Sequence, residues 1–363
     1  MPSWYYYDPH NDSSHDSDSD SSGSSSQSNI RSRNHIQWMA AIRGTSLPDS
    51  LDCNEGRWAA IRGIRCHYKF ATSDAVEDLC TLYPELARAR NARLIMSNQV
   101  PEPHQLEDPS HVPYCIWYPD FAQEETYREV ARRYPSLRYQ VGRACAAAGY
   151  VSLYQELDLL SDVSIAEEAR ESGADGAQEI YNIIMASPIR YAVMNDLHRS
   201  LHPHTKTPAY LNGDTVVRWM LEARYHVCLA LPIYPDIEED GSVGEEKVEL
   251  PHWRYQYTYK EAKLLFTPLP LDLPTMKKDL LIQMAAYEGN FDRYARLMRP
   301  GYMQDEELHC VVRGIYHNTM FARWWAEQLK VNRDRIRLRG NSQEAIWMIS
   351  QAVNARRVMI NDI

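Results

Sequence analysis

At 363 residues the chain has room for two average domains or one long solenoid, and a hydrophobic content of 44% is enough to build a core. Its formal net charge of −10 argues against non-specific binding of nucleic acid or of an anionic membrane by the molecule as a whole. Seven cysteines, an odd number with no C-x-x-C pair, read as reduced thiols of an intracellular protein.

In chain order, residues 1–35 form an acidic, Ser-rich tail. Residues 11–28 are almost all Ser, Asp and Asn, bury too little apolar surface to offset chain entropy, and are expected to be disordered. No basic region leads into an apolar core, so no secretory signal is expected. Residues 36–110 form an N-terminal helical segment. It begins with Trp38, Met39 and Ile42 and includes a helix start at Asp74 ahead of Val76, Leu79, Cys80 and Tyr83. Five prolines between Val100 and Pro119 make that stretch a connecting loop. Residues 111–330 are dense in helix-period apolar positions and form a helical stack. Ser187-Pro188 reads there as the start of a helix carrying Val193, Met194, Leu197 and Leu201. The stack is interrupted at 231–275, where the longest charge-free apolar run, Tyr225–Pro235, is too short to span a bilayer. Residues 331–363 are an Arg-rich connector and a final helix from Gln343.

Within the stack one pattern recurs: an apolar helix face, a small turn residue, then a second apolar face. Val141, Cys145 and Ala148 precede Gly149, with Val151, Tyr154 and Leu157 after it. Asn212-Gly213-Asp214 opens the run Val216, Val217, Met220, Leu221. Leu280, Leu281, Met284 and Ala285 precede Gly289, with Phe291, Tyr294, Ala295 and Met298 beyond. Asn318 stands between Leu308, Val311, Val312, Ile315 and Phe321, Trp324, Trp325. Gly149, Gly213, Gly289 and Asn318 are therefore the candidate repeat turns, each suited to a left-handed residue that ends a helix. Such hairpins bury their faces only by stacking. The stretches LNGDTVVRWMLEA, MAAYEGNFDRYARLM and ACAAAGYVSLYQEL resemble ankyrin repeats in degenerate form. That resemblance implies an all-α, ankyrin-like helical-hairpin solenoid, with a small extended insertion and the disordered tail. It departs from ankyrin at Thr207-Pro208-Ala209-Tyr210, which lies too close to Gly213 for a normal first helix. An ordinary helical domain without repeat ancestry is the alternative.

No phosphate loop, dinucleotide fingerprint, nucleophile elbow or H-E-x-x-H appears in the chain. His198, His202 and His204 are the best metal-like cluster, but Pro203 breaks the spacing and no acidic or thiol partner completes it. A solvated helix end fits them better, and neither metal nor cofactor is expected. Arg333, Arg335, Arg337 and Arg339 alternate as a solvated connector between helices or as a grip for phosphate or an acidic partner. Glu124-Glu125 and Glu167-Glu168 read as solvated helix faces. In the insertion, Trp253, Tyr255, Tyr257 and Tyr259 alternate with polar residues, suggesting an extended arm with one aromatic face. These four are the candidate partner-binding residues, either folded over the stack or open to a partner.

Longer stretches, PYCIWYPDF, RYPSLRYQVGRACAAAGYVSLYQELDLL, IAEEAR and IMASPIRYAVM, resemble ankyrin-type proteins of filamentous fungi. Some of those are encoded in secondary-metabolite gene clusters and described as transcription coregulators. The resemblance implies a non-enzymatic, nuclear or cytoplasmic protein whose partner is a DNA-binding transcription factor, with no direct specific nucleic-acid contact of its own. A pathway enzyme using the His198 cluster or a pocket, and a cytoplasmic scaffold, are the competing classes.

Overall fold

The computed structural model describes residues 23–196, 199–205, 208–213, 258–274, 276, 278–298, 303–331 and 342–360. The chain is all-α, and among the described residues the paired strands are one hairpin of two-residue strands. The N-terminal part holds α1 (Gly23–Ile42), α2 (Asn54–Cys66), α3 (Tyr68–Ala71), α4 (Asp74–Cys80), α5 (Pro84–Met96) and α6 (Pro103–Leu106). Then come α7 (Glu124–Arg133), α8 (Arg138–Ala148), α9 (Val151–Glu156), α10 (Val163–Glu171) and α11 (Ala177–Ala186), followed by β1 (Met194–Asn195) and β2 (Ser200–Leu201). The C-terminal part holds α12 (Tyr259–Lys263), α13 (Asp279–Glu288), α14 (Phe291–Leu297), α15 (Asp305–His317), α16 (Thr319–Val331) and α17 (Ser342–Met359).

Hairpin follows hairpin, and the first helices of successive hairpins run side by side in parallel. A Cβ built on Gly314 of α15 would lie 2.0 Å from the Ala286 carbonyl oxygen of α13, and one on Gly289 would meet Asn318 Cβ at 2.5 Å. Residue numbers rise together along the contact, which fixes the direction. The pair α8 and α10 behaves likewise: Ser172 Oγ donates to the Ala147 carbonyl at 2.7 Å, and Gly149 sits against the Asp175 carbonyl. So does α1 with α2, where Gly63 touches the Ala41 carbonyl. Helices approach this closely only where a side chain is missing. Gly149 (φ 79°) ends α8 and Gly289 (φ 67°) ends α13, both left-handed.

Two large cores result. One gathers Tyr114–Trp117, Tyr127, Val141, Cys145, Ile165, Ile180 and Leu211. The other is organised on Tyr294, whose ring meets Phe321 edge-on at 5.4 Å and Trp325 at 5.8 Å.

Several expectations are corrected. Helix α1 begins at Gly23, so the disordered tail assigned to 1–35 does not extend to 35; residues 1–22 lie outside the described residues. Gly213 has φ 65°, but the residues before it are irregular and no helix ends there; its following residues, Asp214 to Leu221, lie outside the described residues. Asn318 does join α15 to α16, yet with extended backbone (φ −125°). Its side chain accepts the Phe321 N–H at 3.1 Å, so it works as an N-cap, the role a short polar side chain fills best. Tyr259 does not belong to an extended arm. It opens α12, where Thr258 and Glu261 cap each other reciprocally; Trp253, Tyr255 and Tyr257 lie outside the described residues. Ser187 ends α11 instead of starting a helix, and Met194 and Leu201 pair across the β1–β2 hairpin. The proline-rich loop is also more than a connector, since Tyr114, Cys115, Ile116 and Trp117 are all buried.

Candidate functional site: an aromatic–arginine face over a buried polar centre

Helix α13 buries Leu281, Ile282, Ala285 and Ala286 and turns Leu280 and Tyr287, seven residues apart, to solvent. Helix α15 buries Leu308, Val311, Gly314 and Ile315 and exposes His309, Arg313 and Tyr316. Because the two helices are parallel and close, these outward residues form one face. The Arg313 guanidinium lies 4.1 Å from the Tyr287 ring centroid, a cation–π stack that keeps the ring standing while leaving it 47% exposed. Met320 adds a further exposed apolar side chain at the start of α16. Large rings with polar handles next to an arginine are what interface anchors are made of.

The first core contains charge instead. Arg143 of α8 is fully buried and grips Asp196 with both terminal nitrogens, at 2.6 and 3.1 Å, and Glu168 of α10 with Nε at 3.1 Å. Tyr114 Oη donates to Asp196 at 2.6 Å, and the Trp117 ring lies 4.9 Å from the guanidinium. Burial opposes the charge on Arg143, but Asp196 and Glu168 prevail and hold it protonated. Burial, with Asp196 adding to it, pushes the Tyr114 phenol far up. Nearby, Asp162 accepts the amides of Ser164 and Ile165 at the start of α10 and of Val193 and Met194 in the following segment. Burial raises its carboxyl to about 6 against those donors. These groups are almost wholly buried, and their hydrogen bonds tie α8, α10 and the segment at Val193–Asp196 together.

A second polar seam joins the two cores. Glu167 accepts the Asn212 and Gly213 amides, each at 2.7 Å. Arg170 pairs with Asp272, and Tyr181 Oη donates to the same carboxylate at 2.8 Å. The buried Lys278 donates to the Asn212 carbonyl at 2.9 Å. Glu167 and Glu168 are thus buried partners, contrary to their reading as a solvated pair. Glu124 and Glu125 do face outward, on Arg128.

A family model, that of the YKP1 C-terminal domain, matches residues 117–221. The matched span contains Trp117, Arg143, Asp162, Glu167, Glu168 and Asp196. No curated protein and no solved structure matches the chain.

Of the sequence candidates, Tyr259 is 77% exposed on α12 and has Lys263 stacked 4.7 Å from its ring centroid. His202 and His204 are exposed, with His202 Nε2 3.1 Å from Ser200 Oγ; His198 and the arginines 333–339 lie outside the described residues. No group of three or more metal-capable side chains converges among the described residues. Protein purified without added metal is expected to contain well under one equivalent of zinc by elemental analysis. Stoichiometric zinc lost in the H202A/H204A variant would turn the reading toward a metalloenzyme.

Proposed function

We propose that the chain is a non-enzymatic protein-interaction module, and more narrowly an ankyrin-type transcription coregulator of a fungal secondary-metabolite gene cluster. It acts in the nucleus by holding a DNA-binding transcription factor, without reading DNA itself. The observation that carries the interaction reading is the Leu280–Tyr287–Arg313–Tyr316 face, an exposed aromatic and cationic surface presented by two rigid parallel helices. Stacked hairpins that present such faces bind other proteins. The coregulator role rests on the resemblance of the long stretches around 114–194 to fungal ankyrin-type proteins. The net charge of −10 suits attraction of a basic DNA-binding partner.

The test replaces Tyr287 and Arg313 by Ala in the full chain. Both side chains are exposed, so the thermal midpoint should move by only a few degrees. Partner recovery by proximity labelling should fall at least tenfold, roughly the loss of one anchor residue of about 1.4 kcal/mol or more, with expression of the surrounding gene cluster falling in step. Unchanged recovery and unchanged transcripts, in a variant that stays folded, would defeat this reading. Deleting 236–262 in parallel separates the α13–α15 face from the Trp253–Tyr259 segment.

A further inference from the structure

Helices α16 and α17 leave a groove between them that the interaction reading does not use. Its α16 wall is Thr319, Ala322, Arg323, Ala326, Glu327 and Lys330; from α17 come Val353, Arg356 and Arg357. The α16 residues recur at three- and four-residue steps, so the groove follows the helix for three turns, roughly 16 Å at 1.5 Å per residue. The apolar lining comes from Ala322, Ala326, Val353 and Ile360. Among the described lining residues the rim carries Arg323, Lys330, Arg356 and Arg357 and one carboxylate, Glu327, which pairs with Lys330 at 3.6 Å. Arg356 is held in place by donating to the Tyr316 carbonyl at 2.7 Å and to Thr319 Oγ1 at 3.0 Å. At about 270 Å³ the notch falls just under the roughly 300–1,000 Å³ of small-molecule sites.

The stack says what shape belongs there. Second helix α14 lies over α13 and touches α16, the second helix of the next hairpin. Helix α17 packs on α15 as a further first helix, and among the described residues no second helix lies over it. A second helix placed by the same step would occupy the α16–α17 groove.

We propose that this groove docks a three-turn acidic amphipathic helix of a partner protein, in the position of the next second helix. Apolar side chains at i, i+4 and i+7 meet the apolar lining, and flanking Glu or Asp residues meet Arg323, Arg356, Arg357 and Lys330. The surface differs from the Tyr287–Arg313 face, so either reading can fail alone.

The experiment uses the full chain and a fluorescein-labelled 14-residue helical peptide with Leu at i, i+4, i+7 and i+11 and Glu on the flanks. Its Lys-for-Glu counterpart is the control, and binding is read by anisotropy. Binding of the Glu peptide at least tenfold tighter than the Lys peptide, weakened at least tenfold by R323E/R357E and unchanged in Y287A, is the expected result. Ala326→Gln, which crowds the apolar lining without touching the rim charges, should weaken binding similarly and serves if the charge reversal misfolds. Equal binding of the two peptides, or indifference to both variants, overturns the proposal. Tighter peptide binding after deletion of residues 236–246 assigns the groove to the chain's own acidic segment, and preference for a short DNA duplex assigns it to nucleic acid; either overturns docking of a partner helix.

Discussion

Replacing Arg143 by Ala should destabilise the protein by about 3–5 kcal/mol, the cost of stranding buried charges whose partner is removed. Asp196 and Glu168 are both almost fully enclosed, and Arg143 is fully enclosed between them on two elements distant in sequence. Removing it leaves two carboxylates in a site lined by Trp117, Tyr114 and the apolar residues of α8 and α10. Guanidinium unfolding of the full chain measures the loss as a fall in midpoint at constant slope. The compensated variant, Arg143→Met with Asp196→Asn and Glu168→Gln, should recover most of it, because an apolar or neutral substitute for a buried ion group is often close to neutral. A loss below about 1 kcal/mol, the range of exposed pairs, would show that water reaches these carboxylates.

The reach of sequence reading in this chain follows from the range of the interactions involved. The hairpins at Gly149 and Gly289 were legible because each is local: an apolar stripe, a residue able to take positive φ, and a second stripe within twenty residues. Arg143 was not legible, since its partner Asp196 is 53 residues away and nothing near either residue marks a pair. Glu167-Glu168 looks like any solvated acidic doublet on a helix; only tertiary packing tells that one carboxylate caps the Asn212–Gly213 amides and the other meets Arg143. At Tyr259 a local signal was available. Thr258-Tyr259-Lys260-Glu261 is a capping box, and at Tyr259 it outweighs the period-two alternation that the residue also continues; Trp253, Tyr255 and Tyr257 lie outside the described residues. The aromatic–arginine face was not legible either, because Tyr287 and Arg313 share it only through the close approach of α13 and α15 at Gly314. For Asn318 the turn position was readable and its conformation was not. An Asn side chain serves left-handed turns and N-caps equally well.

The second large effect is expected at Gly149, where two independent constraints coincide. Its φ of 79° is a conformation that costs an L-residue with a Cβ about 1–2 kcal/mol. A Cβ there would also lie 1.8 Å from the Asp175 carbonyl oxygen, a backbone atom that moves only if the α8–α9 turn separates from the segment leading into α11. Overpacking of this kind adds about 1–3 kcal/mol, so Gly149→Ala should lose about 3 kcal/mol. Gly176 faces it reciprocally, with φ 89° and a built Cβ 2.5 Å from the Gly149 carbonyl oxygen, so relaxation at one turn is opposed by the other. Gly173 supplies the control. It lies in the same connection, has open space around its Cβ position and no positive φ, and its change to Ala should stay within about 0.5 kcal/mol. Amide exchange distinguishes strain at the turn from global loss: in Gly149→Ala the protection of Tyr150 and Ser172–Ala177 should drop before that of α13 and α15. Equal midpoints for Gly149→Ala and Gly173→Ala would mean that the hairpins around α9 and α11 are not stacked turn against turn, and the stacked-hairpin geometry would fail at its tightest contact.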